Sequence, residues 1–307
     1  MISSRPRAAG DERAGAVDWF NADGFLGGLA RVNVFCGGFG AGKTEVAVNF
    51  SLRLRALGRR VSIADLDIVN LYFRSREVRE QLRSQGIEVI VPGGALANAD
   101  LPVIVPEVRG AIGGQGMKDE GGGRKKESPK SEARMTIEAR TVGQGPLGPN
   151  PNDDGRWTRD EETAPVVVFD LGGDPAGAKV MASIAEGMRP EDYSGLFVLN
   201  SRRPFTATVE AAKRMMDGIS SAARIGLDRI VVNSHLIEET TAAVIEEGIA
   251  LGEELSRATG ARIAFVAVQR DLLGRFDAAA CRYAVMVLDR LMLKPWEQSN
   301  WIGKYRI

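Results

Sequence analysis

Cysteine and histidine are nearly absent: the 307 residues include two cysteines, Cys36 and Cys281, and one histidine, His235. The cysteines are far apart, so there is no Cys/His cluster of the spacing that zinc or iron–sulfur sites require, and a disulfide framework has no basis. Net charge is missing too. Forty Lys+Arg balance forty Asp+Glu, which argues against a globally basic nucleic-acid binder. With 44% hydrophobic and 26% charged residues, the chain is no acidic, self-repelling coil either. No run approaches the ~18–20 apolar residues of a membrane span. Arg5, Arg7 and Arg13 are not followed by the apolar core of a signal peptide. A soluble, reduced, cytoplasmic protein is expected, with length for one large domain or two small ones.

Apolar content is lowest in residues 113–162, which hold ten Gly, four Pro, nine positive and ten negative charges and only eight hydrophobic residues. Such a stretch cannot offset its ordering entropy with apolar burial, so a disordered insertion is expected. Its basic run, Arg124-Lys125-Lys126, reads as a solvated linker or as a docking site for an acidic partner. The remainder reads as one domain over 31–307, interrupted by that insertion and preceded by an extension over 1–30. Charge balance survives removal of the insertion, with 31 positive and 30 negative groups left.

Outside the insertion, short β-branched runs alternate with longer amphipathic stretches, the pattern of βαβ units and a parallel sheet. Strands are predicted over 31–36, 61–66, 87–91, 166–170, 195–199, 229–232 and 263–268. Between the first two, Val46, Phe50, Leu54 and Leu57 share one helical face. Further helices are predicted over 74–84, 176–187, 205–219, 240–259 and 277–293. The expected fold is α/β: a doubly wound, mainly parallel sheet of about seven strands with helices on both faces. Ligands of such sheets bind at the carboxyl ends of the strands.

Directly after the first strand comes Gly37-Gly38-Phe39-Gly40-Ala41-Gly42-Lys43-Thr44, which satisfies G-x-x-x-x-G-K-[ST] and opens the amphipathic helix. Glycines let successive backbone N–H groups turn inward on an anion, and the helix N-terminus adds partial positive charge. Lys43 is placed to neutralise β- and γ-phosphate oxygens, and the Thr44 hydroxyl to ligate Mg²⁺. Carboxylates for the hydrated metal and for water stand at two strand ends. Asp65 and Asp67 are two apart, on one side if the strand continues that far. Asp65 then supports the metal shell and Asp67 is better placed to orient water; a solvated turn or helix cap is the competing reading for both. Asp170 ends a later strand and is the candidate for holding Mg²⁺ through water, followed by Leu171-Gly172-Gly173. Gly173 would bring its N–H to the γ-phosphate. Asp174, before Pro175, reads as a helix cap.

Together, the phosphate loop, Asp65-Leu66-Asp67-Ile68-Val69-Asn70 and Asp170-Leu171-Gly172-Gly173 resemble the MinD/ParA and cobyrinic-acid-synthase (CobQ/CobB/CbiA) nucleotide-binding domains, a branch of the P-loop NTPases. That resemblance covers most of the chain outside its first ~30 residues, the insertion and the last dozen. It implies that Asn233, after Val231-Val232, and the backbone around Arg270 and Asp271 hold an adenine. It also implies ATP and Mg²⁺ as ligands, with a partner switched by hydrolysis. MinD and ParA relatives carry a second lysine that reaches across a nucleotide-sandwiched homodimer; Gly38 stands at that position, so no trans-acting lysine is expected from this loop. Arg74 and Arg76 are candidate replacements, or ordinary helix surface.

GTP-specific members use Asn-Lys-x-Asp, whereas this chain has Asn233-Ser234-His235-Leu236, which favours ATP. A soluble ATPase switch is therefore the leading reading. Alternatives are an ATP-dependent ligase that activates a small carboxylic acid and a non-hydrolysing nucleotide-binding scaffold. A glutaminase nucleophile is not evident, since Cys281 falls in a predicted helix and reads as core. A metallochaperone GTPase lacks its metal-binding cluster. Pro295 and Gly303 interrupt any amphipathic C-terminal helix, which argues against membrane contact. The arginines at 53, 55, 59, 60, 79 and 83 bind DNA only if they converge in space.

Overall fold

In parallel sheets covered on both faces, strands are continuous apolar runs rather than alternating ones, and the β-branched runs here follow that rule. The computed structural model describes residues 30–66, 80, 82–90, 166–173, 175–186 and 188–291. Its strands are β1 (Val32–Cys36), β2 (Val61–Asp65), β3 (Glu88–Ile90), β4 (Val166–Asp170), β5 (Tyr193–Leu199), β6 (Arg229–Val232), β7 (Arg262–Gln269) and β8 (Val285–Leu288). They form one sheet in the order β3-β2-β4-β1-β5-β6-β7-β8. Every pairing is parallel.

Four α-helices with described bounds cover the two faces: α1 (Lys43–Ala56), α2 (Pro175–Ala185), α3 (Val209–Ala223) and α4 (Ala242–Thr259). Met181 of α2, Met216 of α3 and Ile245 and Leu255 of α4 pack with Val34, Phe169, Phe197 and Val232 on one face. On the other face Val46, Phe50 and Leu54 of α1 pack with Phe35, Val168, Val198 and Phe265. There Phe50 meets Phe35 edge-on, with ring centroids 5.1 Å apart, and stacks on Phe265 at 6.4 Å. These aromatic contacts fix the phosphate-loop helix on the middle of the sheet.

The sheet has eight strands rather than about seven, because the predicted helix over 277–293 does not form. Instead the Asp277 carboxylate accepts hydrogen bonds from the Ala279 and Ala280 amides at 3.2 Å, making a turn. Val285–Leu288 then adds a fully buried strand beside β7. A short apolar run carries no periodicity that separates a buried strand from a buried helix. The predicted helix over 205–219 is shifted: Pro204–Thr206 forms a 3₁₀ turn and α3 begins behind the Thr208 cap. Residues 113–162, Asp67, Asp174, Arg74, Arg76 and the tail beyond 291 lie outside the described residues.

The last strand is tied to α1. The Asn49 side chain donates to the Asp289 carbonyl and accepts from the Asp289 amide, both at 2.9 Å. Arg270 forms a two-pronged ion pair with the Asp289 carboxylate, at 2.6 and 2.8 Å. One turn earlier in α1, the Glu45 carboxylate accepts from the Leu291 amide.

Candidate nucleotide site

The loop over residues 37–44 is held by hydrogen bonds to its carbonyls. Gly38 O accepts from the Lys43 Nζ at 3.1 Å and from the Ala41 amide at 3.2 Å. Gly40 O accepts from Arg203 Nε at 2.8 Å, and Ala41 O from Asn233 Nδ2 at 2.8 Å. With its carbonyls committed, the loop has amides to offer an anion. Gly42 makes the last bend in the left-handed region, with φ 83° and ψ 24°. A Cβ there would lie 2.4 Å from Asn233 Nδ2, so glycine is required for both conformation and space. Thr208 and Thr241 cap α3 and α4 through their side chains, whereas α1 has no side-chain cap. The start of α1 therefore faces the cavity as an anion-seeking helix end.

Asp65 and Asp170 are cross-strand neighbours in register. Strand alternation places both on the α1 face, because Ile63 and Val168, two residues before each, pack there. Asp170 is buried and Asp65 half-buried. Pairing continues one step beyond the strands through the Leu66 amide and the Asp170 carbonyl, at 2.8 Å. Gly173 lies against the loop: a Cβ on it would be 3.1 Å from Lys43 Nζ, Phe39 N and Gly37 O alike. The backbone after β4 thus reaches the lysine that the phosphate motif supplies.

A cavity of about 480 Å³ extends from this loop. Its phosphate end includes Gly38, Phe39, Gly40, Gly42, Lys43 and Thr44. Its far end includes Asn233, His235, Ile237, Gln269, Leu288 and Arg290. Asn233 is in the cavity wall, but its amide nitrogen is engaged by the loop at Ala41. Arg270 turns away to Asp289, and Asp271 is exposed; neither lines the cavity, whereas the preceding Gln269 does. Sequence reasoning also passed over the segment between β5 and α3. There the buried Asn200 accepts from the Arg202 and His235 amides through Oδ1, at 2.9 and 3.3 Å, and Arg203 and Phe205 line the cavity. What marks this segment is strand order. β5 lies beside β1, and the connections after these two strands lead to opposite sides, which makes a switch-point crevice.

His235 sits close under the loop: its Nε2 would be 3.2 Å from a Cβ on Gly42. Its Nδ1 is buried without a hydrogen-bond partner among the described residues. Burial, reinforced by the charges of Arg203 and Arg290, pushes its pKa down to about 4. The imidazole is therefore neutral at pH 7. Between the unfolded value near 6.5 and the folded value, the unfolded chain binds the proton and the native chain does not. Stability is complete above pH ~6.5 and falls on acidification, by about 2 kcal/mol between pH 7.5 and pH 5 from this group. Denaturant unfolding at the two pH values should show this loss in the wild type and a correspondingly smaller one in His235→Gln. Equal losses in both proteins would contradict it.

A parallel sheet with G-x-x-x-x-G-K-T bridging its central strand β1 and α1, and with strand-end acids beside it, decides the architecture. This is the P-loop NTPase fold. No protein-family model and no curated protein matches the chain. Among solved structures it is similar to FtsY from Mycoplasma mycoides, at 15% identity and a TM-score of 0.44, over 87% of this chain and 71% of that one. Chloroplast FtsY from Physcomitrella patens shows 14% identity and a TM-score of 0.45, over 81% of this chain and 62% of that one. A nucleotide-binding protein from Archaeoglobus fulgidus, in complex with ADP, shows 14% identity and a TM-score of 0.36, over 80% and 85% of the two chains. No described helix of this P-loop NTPase-fold protein is long and apolar enough to cross a membrane.

Proposed function

We propose that the protein is a Mg²⁺-dependent ATPase of the MinD/ParA/CbiA-like type, whose nucleotide cycle switches its interaction with a partner. The observation that carries this reading is that Lys43 and Thr44 open α1 at the cavity while the paired strand-end acids Asp65 and Asp170, outside the cavity's lining, stand on the sheet face that α1 covers. A hydroxyl and two carboxylates are hard oxygen donors of the kind Mg²⁺ takes, with water and phosphate oxygens completing its shell. Bound there, the ion would neutralise charge developing on the phosphates. The chain's own groups do the rest. Lys43 and the loop amides bind the phosphate chain. Gly173, whose backbone lies against Lys43 and the loop, would bring its N–H to the terminal phosphate, and Asp67 would orient water.

ATP is the nucleotide this reading favours. Guanine recognition uses a carboxylate that accepts two N–H groups. Among the described residues the carboxylate lining this cavity is Glu45, at the phosphate end, and the position for the guanine-reading acid is Leu236.

Phosphate release from ATP and GTP, with and without Mg²⁺, tests the reading directly. Mg²⁺-dependent release that prefers ATP is expected; nucleotide binding without release under any partner condition would leave only a scaffold. Asp170→Asn should retain nucleotide binding in EDTA within a few-fold but lose about tenfold or more of the gain that Mg²⁺ gives, read by calorimetry with and without the metal.

A further inference from the structure

Two cations, not one, are fastened to the phosphate loop. Lys43 Nζ donates to Gly38 O, and Arg203 Nε donates to Gly40 O, two residues along the same loop. Arg203 comes from the segment between β5 and α3 and enters the cavity wall from there. Contact with the loop is close: a Cβ on Gly40 would lie 3.1 Å from its Nε and 3.3 Å from its Cζ.

The segment holds the arginine in place. Its amide donates to Asn200 O at 3.2 Å, and its carbonyl accepts from the Thr206 amide at 2.9 Å. Thr206, itself buried, donates its hydroxyl to Asn200 O at 2.7 Å. Neighbouring arginines are neutralised by carboxylates: Arg202 by Glu247, Arg270 by Asp289 and Arg290 by Glu238. Arg203 has no ion pair among the described residues. Its Nε is committed to the loop, which leaves the two terminal nitrogens, with four N–H groups, for an anion. A half-buried guanidinium without a carboxylate, anchored to an anion-binding loop and lining the same cavity, lacks a negative partner that the cavity's ligand would supply.

We propose that Arg203 binds the nucleotide's phosphate chain in cis, as a second cation beside Lys43. Its charge thus comes from the same chain as the loop, and the loop position occupied by Gly38 needs no lysine. The inference rests on the nucleotide-binding reading above.

The test compares wild type with Arg203→Gln, Arg203→Lys and Arg203→Ala by calorimetric titration of ATP, ADP and adenosine, with thermal unfolding of each variant. Gln keeps an N–H donor for Gly40 O without the charge, and Lys keeps a charge without the fork. ATP affinity should fall at least tenfold in Arg203→Gln and less in Arg203→Lys, while adenosine binding and melting temperature stay near wild type. The ATP slope against salt should become shallower in Arg203→Gln. Unchanged ATP affinity would overturn the proposal, as would equal losses for ATP and adenosine, which would make Arg203 a brace for the loop and nothing more. Should Arg203→Ala fail to fold, Arg203→Gln and Arg203→Lys decide. A wild type that binds no nucleotide instead removes the nucleotide reading itself, a result distinct from selective failure of the Arg203 variants.

Discussion

Lys43→Ala is expected to lower Mg²⁺-dependent phosphate release by at least about 100-fold, the scale seen when one preorganised donor to developing charge is removed. Lys43 is 8% exposed and its ammonium is held by Gly38 O beside Gly173. Little reorganisation is needed to bring it onto phosphate, so most of its interaction is available to the transition state. Lys43→Arg keeps the charge but replaces a compact ammonium with a planar fork, which the space under Gly173 does not suit. It should be closer to Lys43→Ala than to wild type in a single-turnover phosphate assay. Melting temperatures should move only slightly, because the side chain's one described hydrogen bond is to a loop carbonyl at the surface of the cavity. A variant retaining more than a tenth of wild-type release would remove Lys43 from the chemistry.

Gly42→Ala should damage both the fold and the site. A left-handed conformation costs a non-glycine residue roughly 1–2 kcal/mol. The new methyl group would also meet Asn233 Nδ2 at 2.4 Å and His235 Nε2 at 3.2 Å. Displacing the Asn233 amide breaks its 2.8 Å bond to Ala41 O, worth about 1 kcal/mol. A loss of about 2–3 kcal/mol in unfolding free energy is expected. Nucleotide affinity should fall at least about 30-fold, since tenfold corresponds to 1.4 kcal/mol. The double variant Gly42→Ala/Asn233→Ala gives a sharper reading. If the clash with Asn233 carries part of the cost, the double variant is more stable than the sum of the single changes requires. Additive losses would assign the whole effect to the backbone.

The phosphate loop was legible because its chemistry is local. A strand, a glycine-rich turn, a lysine and a helix follow one another without interruption, and each residue's task depends on its neighbours in the chain. Strands β4 and β6 were legible to the residue, because their apolar runs are bounded by Pro165 and Asp170 and by Arg229 and Asn233. β8 was not, since four buried residues carry no period. The far end of the cavity was less accessible still. Asn233, Gln269 and Arg290 come together only through strand order, and Arg203 joins them because β5 lies next to β1. A sequence states which strands exist but not which are neighbours, so nothing in the sequence marks Arg203. The Arg270 side chain pairs with Asp289, which follows a strand whose apolar run reads equally as helix.

The reciprocal bond between Asn49 and Asp289 joins residues 240 apart in sequence. During synthesis the phosphate loop and its helix leave the ribosome long before β8, so α1 lacks its clasp until β8 and Asp289 have been made. A nascent chain ending before Asp289 carries every residue of the Lys43 motif without the contacts that Asn49 and Glu45 make to the end of the sheet. Ligand competence is thereby linked to completion of the described sheet, and finishing α1 requires closing a loop of 240 residues.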